Sequence, residues 1–215
     1  TFRTISGLPE GNYLLSVSAS DMAGNVTQKN IVFTIDRTPP KVTLDNPKDG
    51  DLYGSNNGNI AITGFIVEKN LDIFSLRYGM GDNPAQWTEL LGGNSLPANP
   101  QLFSWKVGKA DGIPDGAYTL SLYAKDKAGQ TGEARVKVMI DNNPPVTGIT
   151  FPQDGGYIRA PFEIKGTATD PNFDKYTLEL SEGQCPSAYR WATTKISSIP
   201  VKDGILASLQ ILPSD

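Results

Sequence analysis

Residues 112–118 read GIPDGAY and repeat residues 7–13, which read GLPEGNY. Two further pairs follow in the same order: DMAGN at 21–25 with DKAGQ at 126–130, and IDRTPP at 35–40 with IDNNPP at 140–145. Every pair is 105 residues apart, so the overlay needs no gap. Self-similarity at a fixed period is the sequence signature of a tandem repeat.

The other half of the unit repeats as well. Residues 62–64 (ITG) correspond to residues 164–166 (IKG), and residues 70–76 correspond to residues 172–178, both 102 residues apart. The two overlays together tile a unit of about 105 residues. We therefore predict three pieces of an array: residues 1–40 are the last two strands of one unit, 41–145 are a complete unit, and 146–215 are the first part of a third.

The middle unit has the pattern of an antiparallel sheet protein. Apolar residues alternate with polar ones in five segments, which are residues 60–66, 74–78, 103–107, 118–124 and 136–140, and two short strands are added at residues 42–44 and 87–90. A period of two is typical of strands that bury one face. We predict an all-β fold of tandem immunoglobulin-like antiparallel β-sandwiches, with about seven strands per unit. In segment 103–107, the alternation predicts that Phe103, Trp105 and Val107 face the core.

Turn chemistry supports these strands. Gly24 and Gly129 stand in two corresponding tight turns, where glycine supplies the positive φ of a bulged hairpin. Tyr13 and Tyr118 follow Gly-x-x-x-Gly segments and match the tyrosine corner of immunoglobulin-type sandwiches, in which the hydroxyl bonds to the backbone upstream. We predict that these four residues are structural.

The segments 112–118, 126–130 and 140–145, with their first copies, resemble bacterial immunoglobulin-like or fibronectin type III-like repeats of large secreted and surface proteins. The resemblance implies a non-catalytic spacer, stalk or assembly segment of a large exported bacterial surface protein. It also implies an extracellular or cell-surface location, a signal peptide outside this fragment, and neighbouring repeats as partners. The alternative within the same family is an adhesion module that binds a carbohydrate or a surface protein.

Two Pro-Pro pairs, Pro39-Pro40 and Pro144-Pro145, separate the predicted units. Proline fixes φ and keeps the preceding residue extended, so a short linker of this kind predicts a semi-rigid connection. The alternative is that the prolines only end a strand.

Composition excludes several other classes. The 215 residues contain no histidine, which removes Ser-His-Asp and Cys-His catalysis and every His-ligated metal site. The net charge of -4 argues against a nucleic-acid partner, and no apolar run is long enough to insert into a membrane. Cys185 is the one cysteine, so no intrachain disulfide forms. We predict that the chain is not an enzyme and has no resident cofactor.

Three alternatives stay open at particular residues. Calcium could bind carboxylates near the joints (Asp36, Asp45, Asp141 and Asp154), although the regular spacing of a calcium loop is missing. A Lys–Asn isopeptide bond would need Lys41 with Asn142 or Asn143. Aromatic side chains outside the core could stack on a glycan; the candidates are Trp87, Trp191, Tyr53, Tyr123 and Tyr157.

The two partial units complement each other. Residues 146–215 end where a Gly-x-Tyr strand would begin, and residues 1–40 supply that strand and its hairpin partner. Each piece alone would expose an open sheet edge. One hypothesis is that they complete one another between chains, giving a homo-oligomer by strand complementation. The alternative is that the boundaries are arbitrary.

Overall fold

The computed structural model describes residues 7–97, 99–159, 161–183 and 192–210, with 60% strand. The all-β prediction is confirmed. The strands are β1 (Gly11–Ser20), β2 (Val26–Ile35), β3 (Lys41–Asn46), β4 (Asp51–Tyr53), β5 (Asn59–Val67), β6 (Leu71–Met80), β7 (Thr88–Gly93), β8 (Gln101–Lys106), β9 (Gly116–Asp126), β10 (Thr131–Ile140), β11 (Val146–Phe151), β12 (Phe162–Thr169), β13 (Tyr176–Leu180), β14 (Ala192–Ser197) and β15 (Val201–Leu209). Two 3-10 turns lie at Ser55–Asn57 and Lys109–Asp111. The chain divides into two compact units, Thr1–Asn142 and Asn143–Asp215.

The first unit begins with a two-stranded hairpin, β1–β2. Its strands pair antiparallel from Gly11 opposite Ile35 to Ser20 opposite Val26. We call Gly11–Ile35 the hairpin. It forms a sheet of its own, with no further strand hydrogen-bonded to either edge among the described residues.

The rest of the first unit is a sandwich of two sheets, which we call the middle sandwich (β3–β10). One sheet has the order β3-β5-β8 and the other has the order β4-β10-β9-β6-β7. The chain crosses from the three-stranded sheet to the five-stranded sheet between β3 and β4. In the first sheet β3 pairs antiparallel with β5, and in the second β4 pairs parallel with β10. Seven strands have six residues or more and β4 has three, so the predicted number of about seven strands is confirmed.

The core of the middle sandwich follows the predicted alternation. Along β9 the side chains of Tyr118, Leu120, Leu122 and Ala124 are buried, with 0–3% exposure. Residues of the facing strands join them; the remaining buried apolar residues are Ile60, Ile62, Phe74, Leu76, Leu102, Trp105, Val107, Val138 and Ile140. The Trp105 ring lies 4.8 Å from Tyr78 and 6.0 Å from Tyr118, centroid to centroid. This core therefore joins both sheets through apolar and aromatic packing.

One detail of β8 differs from the prediction. Trp105 and Val107 are buried as expected, but Leu102 takes the third core position and Phe103 is only half-buried. The cause is a register shift: Phe103 pairs with Ile62 and Gln101 pairs with Thr63, which leaves Leu102 as an extra residue. A β-bulge of this kind changes which side chains face inward, and a prediction from simple alternation along the sequence cannot detect it.

The second unit contains two smaller sheets. Its order is β11-β12-β15 in one sheet and β13-β14 in the other. In the repeat, β12 corresponds to β5. An added Cβ on Gly166 would overlap the Gly148 carbonyl oxygen, just as one on Gly64 would overlap the Thr43 carbonyl oxygen. Its buried apolar core is small and consists of Ile164, Ala168 and Leu206.

Candidate functional site

The linker between the hairpin and the middle sandwich is hydrogen-bonded to the hairpin. We call residues 36–41 the joint. The Glu10 carboxylate accepts the Arg37 backbone N–H at 2.7 Å and the Thr38 hydroxyl at 2.9 Å. The Arg37 guanidinium donates to the Leu8 carbonyl at 2.8 Å. The first half of the joint is therefore held to the residues that lead into β1.

The joint is also bonded to the end of the middle sandwich. The Asn70 side-chain amide, in the β5–β6 loop, donates to the Asp36 carboxylate at 2.6 Å. The Gln130 amide, in the β9–β10 turn, reaches the Asp36 carbonyl at 3.4 Å. The hydrogen bond from Asn70, followed by one from the Thr38 N–H, lowers the pKa of Asp36 below its usual range. Asp36 thus connects both sides of the joint.

Pro40 completes the contact with the sandwich. Pro40 is buried, whereas Pro39 is exposed. A Cβ added to Gly132 on β10 would overlap the Pro40 carbonyl oxygen and lie 3.1 Å from a methyl carbon of Val42. The absent side chain at position 132 lets the linker backbone cross β10 at close range. At the other end of the sandwich, Pro144 and Pro145 precede β11 and both are exposed.

The two predicted turns and tyrosine corners have matching geometry. Gly24 and Gly129 have φ values of 88° and 89°. The Tyr13 hydroxyl donates to the Pro9 carbonyl at 2.7 Å, and the Tyr118 hydroxyl donates to the Pro114 carbonyl at 2.8 Å. Burial raises the pKa of Tyr118, as expected for a hydroxyl that is held neutral inside the sandwich.

A cleft of about 480 Å³ lies at the joint, where calcium was the open alternative. Its three carboxylates are already bonded to the protein: Glu10 and Asp36 as above, and Glu68 to the Asn70 N–H at 2.6 Å. Within the described residues, no three Asp, Glu or Cys side chains form a group that could hold a metal ion. The structure does not gather Asp36, Asp45, Asp141 and Asp154 into such a group.

The aromatic residues suggested as glycan contacts lie at different places in the structure. Trp87 and Tyr123 lie with Arg77 on the face of the five-stranded sheet that points away from the core. The Arg77 guanidinium is 4.6 Å from the Trp87 ring and 5.6 Å from the Tyr123 ring, and Arg135 is 5.4 Å from Trp87. The guanidinium groups occupy these ring surfaces, so this pair does not form a free stacking platform. Tyr53 is half-buried and Tyr157 is fully exposed; Trp191 and Cys185 lie outside the described residues.

The same outer face carries an ion-pair network. The Glu133 carboxylate meets Arg135 at 3.0 Å and Arg77 at 3.3 Å, and it accepts the Ser121 hydroxyl at 2.6 Å. Burial raises the pKa of Glu133, but the hydrogen bonds and positive charges of these partners outweigh it and lower the pKa overall. The network satisfies charges on the sheet surface and requires no substrate to explain it.

Asn142, one of the residues that could form an isopeptide bond, is hydrogen-bonded within the middle sandwich. The Asn142 side-chain amide donates to the Val107 carbonyl at 2.9 Å, and the Asn142 N–H donates to Asp115 at 2.9 Å. The carboxamide that would react with Lys41 therefore has a structural role at the end of the middle sandwich.

The hairpin exposes residues whose counterparts are core residues. Leu15 and Val17 are 55% and 63% exposed, but their repeat partners Leu120 and Leu122 are fully buried. In the second unit, β13 corresponds to β6, and β6 pairs with both β7 and β9. β13 pairs with β14 alone among the described strands. Among the described residues, these strands therefore lack the neighbours that their counterparts have in the middle sandwich.

Part of this chain matches one family of known proteins. Residues 1–104 match the family model described as Bacterial Ig-like domain (group 3). The bacterial immunoglobulin-like resemblance is thereby confirmed over these residues. The matched bacterial immunoglobulin-like region runs from the hairpin through the joint and into β8, and the family is typically non-catalytic.

One solved structure is weakly similar to this chain. A solved structure described as "Crystal structure of tetra-tandem repeat in extending region of large adhesion protein" shares 18% identity with a TM-score of 0.38. The alignment covers 97% of this chain and 50% of the solved chain, so this chain spans about half the length of the solved one. No curated protein matches. The described residues contain no helix long and apolar enough to cross a membrane.

Proposed function

We propose that this chain is a spacer segment of a large exported bacterial surface protein, in which consecutive immunoglobulin-like repeats are held at a fixed angle. The division into residues 1–40, 41–145 and 146–215 belongs to this proposal. The supporting observation is the joint. The Arg37 backbone N–H is hydrogen-bonded to Glu10, just before the hairpin, the Asp36 carboxylate accepts from Asn70 of the middle sandwich, and Pro40 packs on Gly132.

The physical reason is the number of restraints on a short segment. Two prolines each fix φ, which leaves few soft torsions between the last residue of β2 and the first residue of β3. The Glu10 and Asn70 bonds then restrain the first half of that segment, and the packing of Pro40 on Gly132 restrains its other end. A segment restrained at both ends transmits orientation, which is what a spacer needs in order to set the reach of whatever it carries.

The chemistry on the surface agrees with a non-catalytic role. The charged clusters that we describe are paired within the protein, as at Glu133, and the family is typically non-catalytic. A location outside the cell is supported by the same family match, because domains of that family in adhesion proteins are typically surface-exposed. We therefore propose an extracellular or cell-surface location, with neighbouring repeats of the same protein as partners.

The test is the width of a distance distribution across the joint. Spin labels at Asn30→Cys on β2 and Lys106→Cys on β8, in a Cys185→Ser background, would be measured by double electron–electron resonance in samples diluted with unlabelled chain. We expect a narrow distribution that broadens when Pro39 and Pro40 are both changed to Gly. The matched control changes Pro144 and Pro145 to Gly, which lie outside the labelled span and should leave the width unchanged. A parent distribution as broad as that of the Pro39/Pro40 variant would refute the spacer proposal.

A further inference from the structure

One turn of the middle sandwich contains the single Asn-Gly pair of the sequence, Asn57-Gly58. The pair lies at the end of the 3-10 turn Ser55–Asn57, between β4 and β5. Asn57 and Gly58 are both exposed, and Gly58 has a positive φ of 68°. A Cβ placed on Gly58 would meet nothing within 4 Å, so no other part of the described protein crowds the backbone that follows the Asn57 side chain.

The repeat shows that the connection to β5 does not require this turn. Gly50 corresponds to Gly155 at a spacing of 105 residues, and Ile62 corresponds to Ile164 at a spacing of 102, so the middle copy has three extra residues between them. The other copy runs from Gly155 to β12 without an Asn-Gly pair. The pair is therefore a feature of the middle copy alone, and the strands that it connects do not explain it.

We propose that Asn57 is a self-modification site, at which the side-chain amide is converted to a carboxylate. The Gly58 backbone nitrogen attacks the Asn57 Cγ, so that a new N–Cγ bond closes a cyclic imide and the Cγ–Nδ2 bond breaks. Nδ2 leaves as ammonia and carries away the Gly58 amide proton. Water then opens the imide at one of its two carbonyls, which gives aspartate or isoaspartate and one added negative charge. Glycine at position 58 favours the attack because it has no Cβ to crowd the ring.

The fold restrains the reacting side chain through one hydrogen bond. The Asn57 Oδ1 accepts the Gly54 N–H at 2.7 Å, and the Asn57 N–H donates to the Gly54 carbonyl at 2.9 Å. The first of these bonds holds the carboxamide toward the start of the turn, so the side chain must leave it before Cγ reaches the Gly58 nitrogen. A neutral hydrogen bond in an exposed turn has a modest net strength, so the folded protein should react at most roughly tenfold more slowly than an unstructured peptide.

The turn packs against the end of β10, so the modification has a structural consequence. A Cβ added to Gly54 would overlap the Asp141 carbonyl oxygen, and the Tyr53 carbonyl accepts the Asp141 N–H at 2.8 Å. Aspartate at position 57 keeps an oxygen that can accept the Gly54 N–H. Isoaspartate instead routes the main chain through Cβ and Cγ, which lengthens the turn by one carbon and moves the acceptor. Isoaspartate should therefore loosen the turn and the backbone at Asp141, whereas aspartate should not.

The experiment ages the full 215-residue chain in mildly alkaline buffer at physiological temperature and follows it by isoelectric focusing and peptide mapping. We expect an acidic species whose peptide map places the change at Asn57. Asn57→Gln should abolish this species, whereas Asn59→Gln is the matched control in the same loop and should leave it unchanged. Asn94 is the internal reference, since it is also exposed but precedes serine. Asp-Gly pairs such as Asp111-Gly112 can form the same imide, but they lose no ammonia and gain no charge, so focusing does not detect them.

A synthetic peptide of residues 54–61 supplies the unstructured reference rate. Conversion of Asn57 in the folded chain within roughly tenfold of the peptide supports the inference. A folded chain that reacts far more slowly than this, or no faster at Asn57 than at Asn94, would overturn it. Hydrogen exchange of the Asp141 N–H, measured by NMR, should become faster in the aged parent but not in aged Asn57→Gln or fresh Asn57→Asp; unchanged exchange in the isoaspartate form would refute the link to β10. The inference does not rest on the proposed spacer role, because it concerns one turn of the middle sandwich.

Discussion

Gly132→Ala is the substitution that most directly tests the joint. The new Cβ would overlap the Pro40 carbonyl oxygen and lie 3.0 Å from the carbon of that carbonyl and 3.1 Å from a methyl carbon of Val42. Carbon atoms in optimal contact are about 3.5–4.0 Å apart, so each of these two distances is short by roughly half an ångström or more. Most of the crowding is against backbone, which a change of rotamer cannot relieve.

The structure must therefore move β10 or lift the linker from the sandwich. Overpacking of this kind costs about 1–3 kcal/mol. Gly148→Ala is the matched control, since Gly148 also lies in a strand and an added Cβ there meets nothing within 4 Å. Gly148 lies in the second unit, so its replacement should leave the free energy of unfolding of the middle sandwich unchanged, whereas Gly132→Ala should lower it.

The assay is denaturant unfolding followed by tryptophan fluorescence, since Trp105 is buried in the core of the middle sandwich. It would be combined with the labelled pair at positions 30 and 106. We expect Gly132→Ala to lower the midpoint and to shift or broaden the distance distribution. If Gly132→Ala and Gly148→Ala gave the same stability and the same distribution, the linker would not be packed against β10, and the argument for a fixed joint would fail.

Three further outcomes are expected. Tyr118→Phe should lower the free energy of unfolding by about 0.5–1.5 kcal/mol, measured by denaturant titration, because the hydrogen bond to the Pro114 carbonyl is lost. Trp87→Ala should cost about 1–2 kcal/mol in the same assay, since the cation–π contacts disappear, and Trp87→Phe should recover part of it. The lowered pKa of Asp36 means that its bond to Asn70 persists above the ordinary aspartate pKa of about 3.9 and is lost as pH falls through the lowered value. The labelled pair should accordingly report a looser joint only in acid, and Asn70→Ala should reduce that pH dependence.

Much of the fold could be predicted because its signals are local and occur twice. The turns at Gly24 and Gly129, the tyrosine corners and the alternation along β9 each depend on a few adjacent residues. Repetition at a fixed spacing showed which of these patterns belong to one unit. The same reasoning missed β4, because three residues after a turn are too few to show a period.

The joint was predicted as a linker, but its contacts were not. Glu10 and Asn70 are 27 and 34 residues from their partners in the joint, and such pairs follow from how the strands fold back. One signal was available for Gly132. Its counterpart in the first copy is Thr27, so the strand itself does not require a glycine, and the close approach of the Pro40 carbonyl oxygen explains the absence of a side chain at Gly132.

The middle sandwich and the joint depend on different forces. The core that closes the sandwich is apolar and aromatic, so its stability follows buried area and changes little with salt or mild acid. The joint depends in part on the half-buried Asp36 carboxylate, whose hydrogen bond from Asn70 weakens on protonation. Orientation between repeats can therefore be lost while each repeat stays folded. An array built in this way would keep its length and resistance to unfolding under conditions that make it flexible, and stiffness rather than fold is the property that the joint residues control.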